Sequence, residues 1–459
     1  MIAKKYLLPT LLIGIIPNVL LFSTSEIFGL GRALINIDYI GLSILFQILP
    51  KILTAAISIA SIILDAIYMA APVYHFNAVQ FLKEITSIVH LNIGTPIFPF
   101  GAAVGIAVTT LLITFSVMTQ TREFSIKALA IPLVTLIGIT ALDASNGSFH
   151  LDRFEKYFRK DTLTFNINFA SSPSYKLLKS IVANEAKPKI TTNFQKNAKS
   201  ATSIALSTLD INNNIYLIII ESWGLMKNPA LNEIATQPLL DKKLYERYDI
   251  ETGEVPFYGS TTSAEIRELC QSYDRYDTLS SDNFLTCLPN TLRLKNYKTI
   301  AAHGFSGSMF GRSEWWKSIG FDTTLFSSDL NSAGLTRQCG STFRGICDTD
   351  LIHYTGHILK NGNEKKFVYN LTLNSHLPIP EEIILNANIK TSINISRTTR
   401  SLLSSWNLVF NAIHGVAIDA KLPKTKIIIV GDHSPPLWYK DDAIQFPKYQ
   451  VPYIILTPK

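Results

Sequence analysis

The sequence predicts an α-helical transmembrane bundle of about five spans, followed by an α/β domain with a mostly parallel central sheet. Three observations predict it. Long apolar stretches fill roughly the first 145 of 459 residues, and the rest has ordinary globular composition. The later part alternates apolar strand-like runs with helical stretches. All four cysteines, Cys270, Cys287, Cys339 and Cys347, lie in that later part. The expected domains are residues 1–145 in the membrane, a membrane-surface connector at 146–208, and an extracytoplasmic domain at 209–459.

The membrane part carries apolar segments at 6–23, 34–49, 52–72, 97–118 and 128–142. Each is near the roughly 20 residues a spanning helix needs. The second and fifth are short, and the second and third nearly join across Pro50-Lys51, so four or six spans stay open. With five, Lys4, Lys5, Lys51, Arg122 and Lys127 share one side. Arg32 and Lys83 lie on the other, balanced by Glu26, Asp38 and Glu84. The positive-inside rule then puts the amino terminus in the cytoplasm and everything after Asp143 outside. On this reading the first segment is an anchor and not a cleaved signal peptide, because more spans follow it.

The cysteines agree with that orientation. An even number confined to one domain predicts two disulfides in an oxidising compartment. Of three possible connectivities, the local pairs Cys270–Cys287 and Cys339–Cys347 are expected; four buried free thiols are the alternative. The mean hydropathy is +0.20. The net charge of +7 fits a basic rim facing anionic lipid. No basic motif is interleaved with aromatics, which argues against nucleic-acid binding. Residues 79–91 carry a stripe of Val79, Leu82, Ile85, Ile88 and Val89, read either as an interfacial helix or as an ordinary loop helix. Asp65 inside the third segment is a costly charge, with lipid binding as one reading.

In the connector, residues 152–160 alternate charged and aromatic side chains. They predict a helix on the head-group layer anchored by Phe154, Tyr157 and Phe158. The Ser/Thr/Asn-rich stretch 191–208 reads as a loop.

The later domain offers strands at 215–220, 299–302, 367–373, 427–430 and 453–456, with helices near 263–272, 286–296 and 396–420. Ligands of such a sheet collect at the carboxyl ends of its strands. There stand Glu221-Ser222 after the first run and Gly431-Asp432-His433 after the fourth. Hard ligands from two strand ends predict one divalent metal site and hydrolytic or transfer chemistry on a charged ester. The turn Gly259-Ser260-Thr261-Thr262-Ser263 can set a hydroxyl at a helix amino terminus, where free N–H groups and the dipole favour phosphate. A hydroxyl beside a divalent ion becomes a nucleophile. A plain Ser/Thr N-cap is the other reading.

The set Glu221-Ser222, Gly259-x-Thr261-x-x-x-Glu265, His303-Gly304 with Arg312, Asn374-Ser375-His376 and Gly431-Asp432-His433 resembles the membrane-anchored branch of the alkaline phosphatase/sulfatase superfamily. Lipoteichoic acid synthase and the phosphoethanolamine and phosphoglycerol transferases belong to that branch. The resemblance implies an integral membrane transferase moving a phospho-head group, ethanolamine- or glycerol-type, from a phospholipid donor to a glycan or lipid-linked sugar. It implies a multi-pass protein of the bacterial inner membrane with its catalytic domain on the periplasmic side. Thr261 would be the nucleophile, carrying a phosphothreonine intermediate, with Thr262 next to it as the alternative. Glu221, Thr261, Asp432 and His433 would hold one zinc or manganese ion. Arg312 and His376 would bind substrate; His303 either contacts substrate or caps a strand end.

Two departures from the pattern matter. Lipoteichoic acid synthase has an acidic residue two positions after its His303 counterpart, where this chain has Phe305. No histidine follows His433, although the phosphoethanolamine transferases add one there. Cys287-Leu288-Pro289-Asn290-Thr291 approaches the formylglycine motif of sulfatases, but Thr291 replaces its arginine. Two other functions remain open: a membrane-anchored phosphodiesterase or sulfatase-type hydrolase, and a non-catalytic sensor or scaffold.

Overall fold

Runs of β-branched residues with no charge cannot face water, and in this chain they become central strands. In the computed structural model the described residues are 2–27, 32–71, 126–145, 170–178, 198–207 and 213–459, with short internal gaps in the last, plus single positions between 78 and 114. The chain divides into two units. One comprises Met1–Ile85, Pro96–Ile190 and Trp438–Lys440, the other Thr86–Thr95, Thr191–Leu437 and Asp441–Lys459.

The first unit is helical, with α1 (Ile2–Ile27), α2 (Ile37–Ile48), α3 (Lys51–Ala70) and α4 (Ile126–Ser145). Asn36 caps α2 by accepting a hydrogen bond from the Asp38 N–H. Pro50 separates α2 from α3, because a proline N-terminal to a helix disfavours helical backbone before it. Among the described residues one helix, Lys51–Met69, is long and apolar enough to cross a membrane. Thr10–Ser25, Ile37–Ile48 and Leu129–Ile139 are shorter apolar stretches. Most of segment 97–118 and of the stripe at 79–91, and all of 152–160, lie outside the described residues.

Asp65 has a partner that its spacing in the sequence did not reveal. Arg32 donates from Nε and Nη2 to its carboxylate, the closest contact being 2.8 Å, and the Tyr39 hydroxyl donates at 3.0 Å. Arg32 Nη2 also donates to Asn18 Oδ1. The charge is thus neutralised and its lone pairs filled, which makes burial tolerable. That carboxylate is committed to the helix packing.

The second unit is built on a seven-stranded sheet. In chain order its strands are β1 (Asn214–Ile220), β2 (Tyr248–Pro256), β3 (Lys298–His303), β4 (Thr323–Leu325), β5 (Lys366–Leu371), β6 (Thr425–Gly431) and β7 (Gln450–Pro458). Their spatial order is β2-β7-β6-β1-β5-β3-β4. The neighbours from β6 to β4 pair in parallel, while β7 is antiparallel to both β6 and β2. Alternate residues of β1 divide between two cores: Tyr216, Ile218 and Ile220 on one face, Ile215, Leu217 and Ile219 on the other. Strands β2 and β4 were missed in the sequence. The first is a polar edge strand whose middle is exposed, and the second has only three residues.

Five helices matter for the site: α5 (Ala201–Ala205), α6 (Thr261–Cys270), α7 (Leu288–Arg293), α8 (Arg312–Ser318) and α9 (Asp348–Lys360). Stretch 191–208 is therefore not all loop. Ser200 caps helix α5 by accepting the Ser203 N–H, and the buried Glu268 carboxylate accepts the N–H groups of Ala201 and Thr202. Two disulfides are present, Cys270–Cys287 joining the end of α6 to the start of α7, and Cys339–Cys347 closing the hairpin that leads into α9.

Replacing Arg32 by Leu strands a buried carboxylate, so the expected cost is about 3–5 kcal/mol. Thermal unfolding in detergent measures it, and the double replacement Arg32→Leu/Asp65→Leu should recover much of the loss. If both variants melt like the wild type, the pair contributes nothing to packing.

Candidate metal centre

Sheet register brings the first two ligands together. Gly431 pairs with Ile220 in the parallel β6–β1 ladder, and the Asp432 N–H continues it onto the Ile220 carbonyl. Glu221 and Asp432 therefore leave adjacent strand ends side by side. At Gly431 a Cβ would fall 1.9 Å from the Trp223 carbonyl oxygen, so only glycine lets the chain after Glu221 cross this strand end. Ser222 makes the crossing in the left-handed region, φ 55°, a conformation that costs a non-glycine residue about 1–3 kcal/mol. The turn puts its N–H 2.7 Å from Asp432 Oδ1 and its hydroxyl 2.8 Å from Glu221 Oε1.

Glu221, Asp432 and His433 are buried, and one ligand atom from each lies within 4.8 Å of the others. Thr261, the first residue of α6, adds its hydroxyl: Oγ1 is 3.3 Å from Glu221 Oε2 and 3.3 Å from His433 Nε2. Gly259, at φ 67°, makes the tight turn that starts this helix. The adjacent Thr262 is turned elsewhere, with its hydroxyl 3.2 Å from Ser260 Oγ.

The donor set fits a divalent cation. Asp432 Oδ1 accepts the N–H groups of Ser222 and His433, while Oδ2 is buried without a hydrogen-bond partner. The Ser434 carbonyl takes the Nδ1 side of the His433 ring at 2.8 Å, which fixes the tautomer with its lone pair on Nε2. Two carboxylates, one imidazole and one hydroxyl suit zinc or manganese.

Electrostatics point the same way. Burial first, and then the Glu221 charge, push the Asp432 carboxyl far above its usual range. Burial raises Glu221 as well, but His433 and His376 outweigh it and hold Glu221 low. Two carboxylates this close repel each other when both are charged, and a cation between them relieves that repulsion. Burial depresses both His433 and His376, against the pull of the Glu221 charge.

The loop after β5 supplies His376. Ser375 Oγ donates to the Glu221 carbonyl, and the buried Asp348 carboxylate accepts the N–H groups of Leu373 and Asn374. Burial pushes Asp348 up to about 7, against the pull of those N–H groups. The Leu377 carbonyl takes His376 Nδ1 at 2.9 Å, leaving Nε2 as the ring's proton acceptor.

Arg312 and His303 are both held by other groups of the protein. Arg312 is buried, with Nε and Nη2 donating to Glu265 Oε2 at 3.0 and 2.9 Å. Trp316 and Tyr369 donate to the other oxygen of Glu265. One edge of the guanidinium fork is thus already spent on Glu265. His303 is buried against the Leu371 carbonyl, and burial followed by the Arg312 charge drives it to about 3. It is a neutral strand-end residue.

Sequence reasoning missed Arg267. It is fully buried, paired with Glu268 at 2.7 Å, and donates to the Gly431 carbonyl at 2.8 Å, tying α6 to the end of β6. An adjacent Arg-Glu pair in a helix looks like solvated surface, so no signal marked it.

A family model described as Sulfatase matches residues 214–459, more than half of the chain. No curated protein sequence matches significantly. Solved structures with a similar fold include the lipoteichoic acid synthase LtaP of Listeria monocytogenes, at 14% identity over 53% of this chain with TM-score 0.39; the alignment spans 65% of the Listeria chain. The periplasmic domain of EptC from Escherichia coli aligns at 13% identity over 54% of this chain and 73% of its own, TM-score 0.36. The phosphoglycerol transferase GacH of Streptococcus pyogenes, solved with sn-glycerol-1-phosphate, aligns at 16% identity over 60% and 74%, TM-score 0.37.

Burial and the Glu221 charge oppose ionisation of Asp432, so a cation bound here competes with protons. Apparent affinity for zinc or manganese should fall as pH is lowered. Calorimetry across pH, in buffers of different ionisation enthalpy, measures it; affinity that does not change with pH would remove Asp432 as a ligand.

Proposed function

This chain belongs to the sulfatase family, and on that premise we propose that it is a membrane-anchored, metal-dependent phosphotransferase. It moves a phospho-head group, ethanolamine- or glycerol-type, from a phospholipid donor to a glycan or lipid-linked sugar. The observation that carries this reading is the Thr261 hydroxyl at 3.3 Å from both Glu221 and His433. In this proposal residues 1–145 form an anchor of about five spans in the bacterial inner membrane, and 146–208 a connector. Residues 209–459 are the catalytic domain on the periplasmic side. The lysines flanking the apolar segments and the two disulfides support that placement.

Glu221, Asp432, His433 and Thr261 would hold one zinc or manganese ion, which when bound offsets phosphate charge and lowers the pKa of a neighbouring hydroxyl. In the first step the Thr261 hydroxyl gives up its proton toward Glu221 Oε2. Its Oγ1–phosphorus bond forms as the bond to the diacylglycerol oxygen breaks, and that oxygen takes up a proton. The N–H groups at the start of α6 stabilise the phosphoryl oxygens, and Arg312 Nη1 adds charge to the same group. In the second step the acceptor hydroxyl passes its proton to His376 Nε2 and attacks phosphorus, and Thr261 leaves and recovers a proton. His303 supports the sheet end beside this loop.

Intact-mass analysis after incubation with defined phospholipids tests the reading. Wild type and Thr262→Ala should gain the mass of the transferred group, and Thr261→Ala should gain nothing. An unchanged adduct on the Thr261 variant, or none on wild type, sinks the mechanism. Adduct that turns over to free head group instead of a sugar phosphodiester would identify a hydrolase. Removing the metal with a chelator should stop adduct formation, and restoring zinc or manganese should recover it.

A further inference from the structure

Asp348, the first residue of α9, has no part in the chemistry above. It is 1% exposed, and no lysine or arginine pairs with it among the described residues. Its carboxylate is bound by backbone instead. The Leu373 N–H reaches both oxygens at 3.0 Å, and the Asn374 N–H reaches Oδ2 at 2.7 Å. In return Asn374 Oδ1 accepts the Asp348 N–H at 2.6 Å.

These bonds fall on the turn that carries His376. The His376 N–H closes that turn on the Leu373 carbonyl at 3.1 Å, so Asp348 holds the first two N–H groups and His376 is the fourth residue. Ser375, the third, ties the turn to the Glu221 carbonyl. Asp348 is itself fixed. Cys347 before it is bonded to Cys339 and donates its N–H to the Arg337 carbonyl at 3.0 Å. The Ile346 N–H donates to the Gly304 carbonyl at 2.8 Å, which seats the hairpin on the end of β3.

Burying a carboxylate without a cation is expensive. An asparagine in its place would offer one acceptor and set a donor against the second N–H group. The expense falls where His376 Nε2 must meet a hydroxyl, and a shift of about 1 Å at such a place can cost a reaction about 100-fold. We infer that Asp348 is a positioning residue for the acceptor step, acting through the turn that aims His376. This rests on the transferase reading and adds a residue to it.

The test uses the full chain with zinc or manganese restored and follows Thr261 by intact mass. Adduct formation from phosphatidylethanolamine or phosphatidylglycerol reads the first step. Discharge of the adduct to octyl glucoside, seen as the sugar phosphodiester, reads the second. Asp348→Asn should form adduct within about twofold of wild type and discharge it about tenfold more slowly. In a His376→Ala background the same replacement should change discharge by less than about twofold, because its effect passes through the missing ring. Asn374→Ala loosens the same bracket from the other side and should give a smaller split of the same kind, which carries the test if Asp348→Asn does not fold. Formation and discharge slowed alike, an undiminished effect in the His376→Ala background, or wild-type discharge in the variant that folds overturns the positioning role. So does wild-type discharge by His376→Ala alone. Absence of adduct on wild type from either donor overturns the transferase reading itself, and this role with it.

Discussion

The register between β1 and β6 is the constraint on which the site depends. Two strands more than 200 residues apart pair so that Ile220 faces Gly431, and the next residue of each is a carboxylate. Both strands are apolar on both faces, so burial alone does not set their register. Gly431, where a Cβ would meet the Trp223 carbonyl oxygen, and Lys426, whose Nζ donates to the Ala205 carbonyl, are what a slip would displace.

Helix α6 serves as the second anchor. Its first residue presents the Thr261 hydroxyl, while Glu265, Arg267 and Glu268 are buried behind it. Each of these charges is expensive inside a protein unless paired and hydrogen-bonded. Glu265 is satisfied by Arg312, Trp316 and Tyr369, and Glu268 by Arg267 and the amino end of α5. Arg267 completes the frame by reaching the Gly431 carbonyl, so the hydroxyl and the Asp432 ligand are held by one set of bonds. The Cys270–Cys287 disulfide closes the far end of the helix.

The centre itself stores unfavourable terms. Ser222 keeps a left-handed backbone, two carboxylates are buried side by side, and Asp432 Oδ2 is buried with no hydrogen-bond partner. Such terms are concentrated where function requires them and are offset by the packing around them. In the helical unit, by contrast, the buried Arg32 and Asp65 satisfy each other.

Much of this was legible in the chain. The five apolar strands, the mostly parallel sheet and the strand-end residues Glu221, Asp432 and His433 follow from periodicity and from where ligands collect in such sheets. The disulfides are the local pairs expected, although spacing left three connectivities open. What stayed hidden depends on contacts with no sequence trace. Edge strand β2 is polar because one side of it meets water, and Arg267-Glu268 resembles a surface pair until α6 is packed. Nothing in the sequence shows that Glu265 holds Arg312 through its Nε and Nη2. Whether Thr261 or Thr262 faces the ligands is decided by the rotation of α6, which its packing fixes. Sequence determined which elements form, because hydrophobic periodicity is local; only tertiary structure decided which polar groups meet, because their partners lie tens to hundreds of residues away.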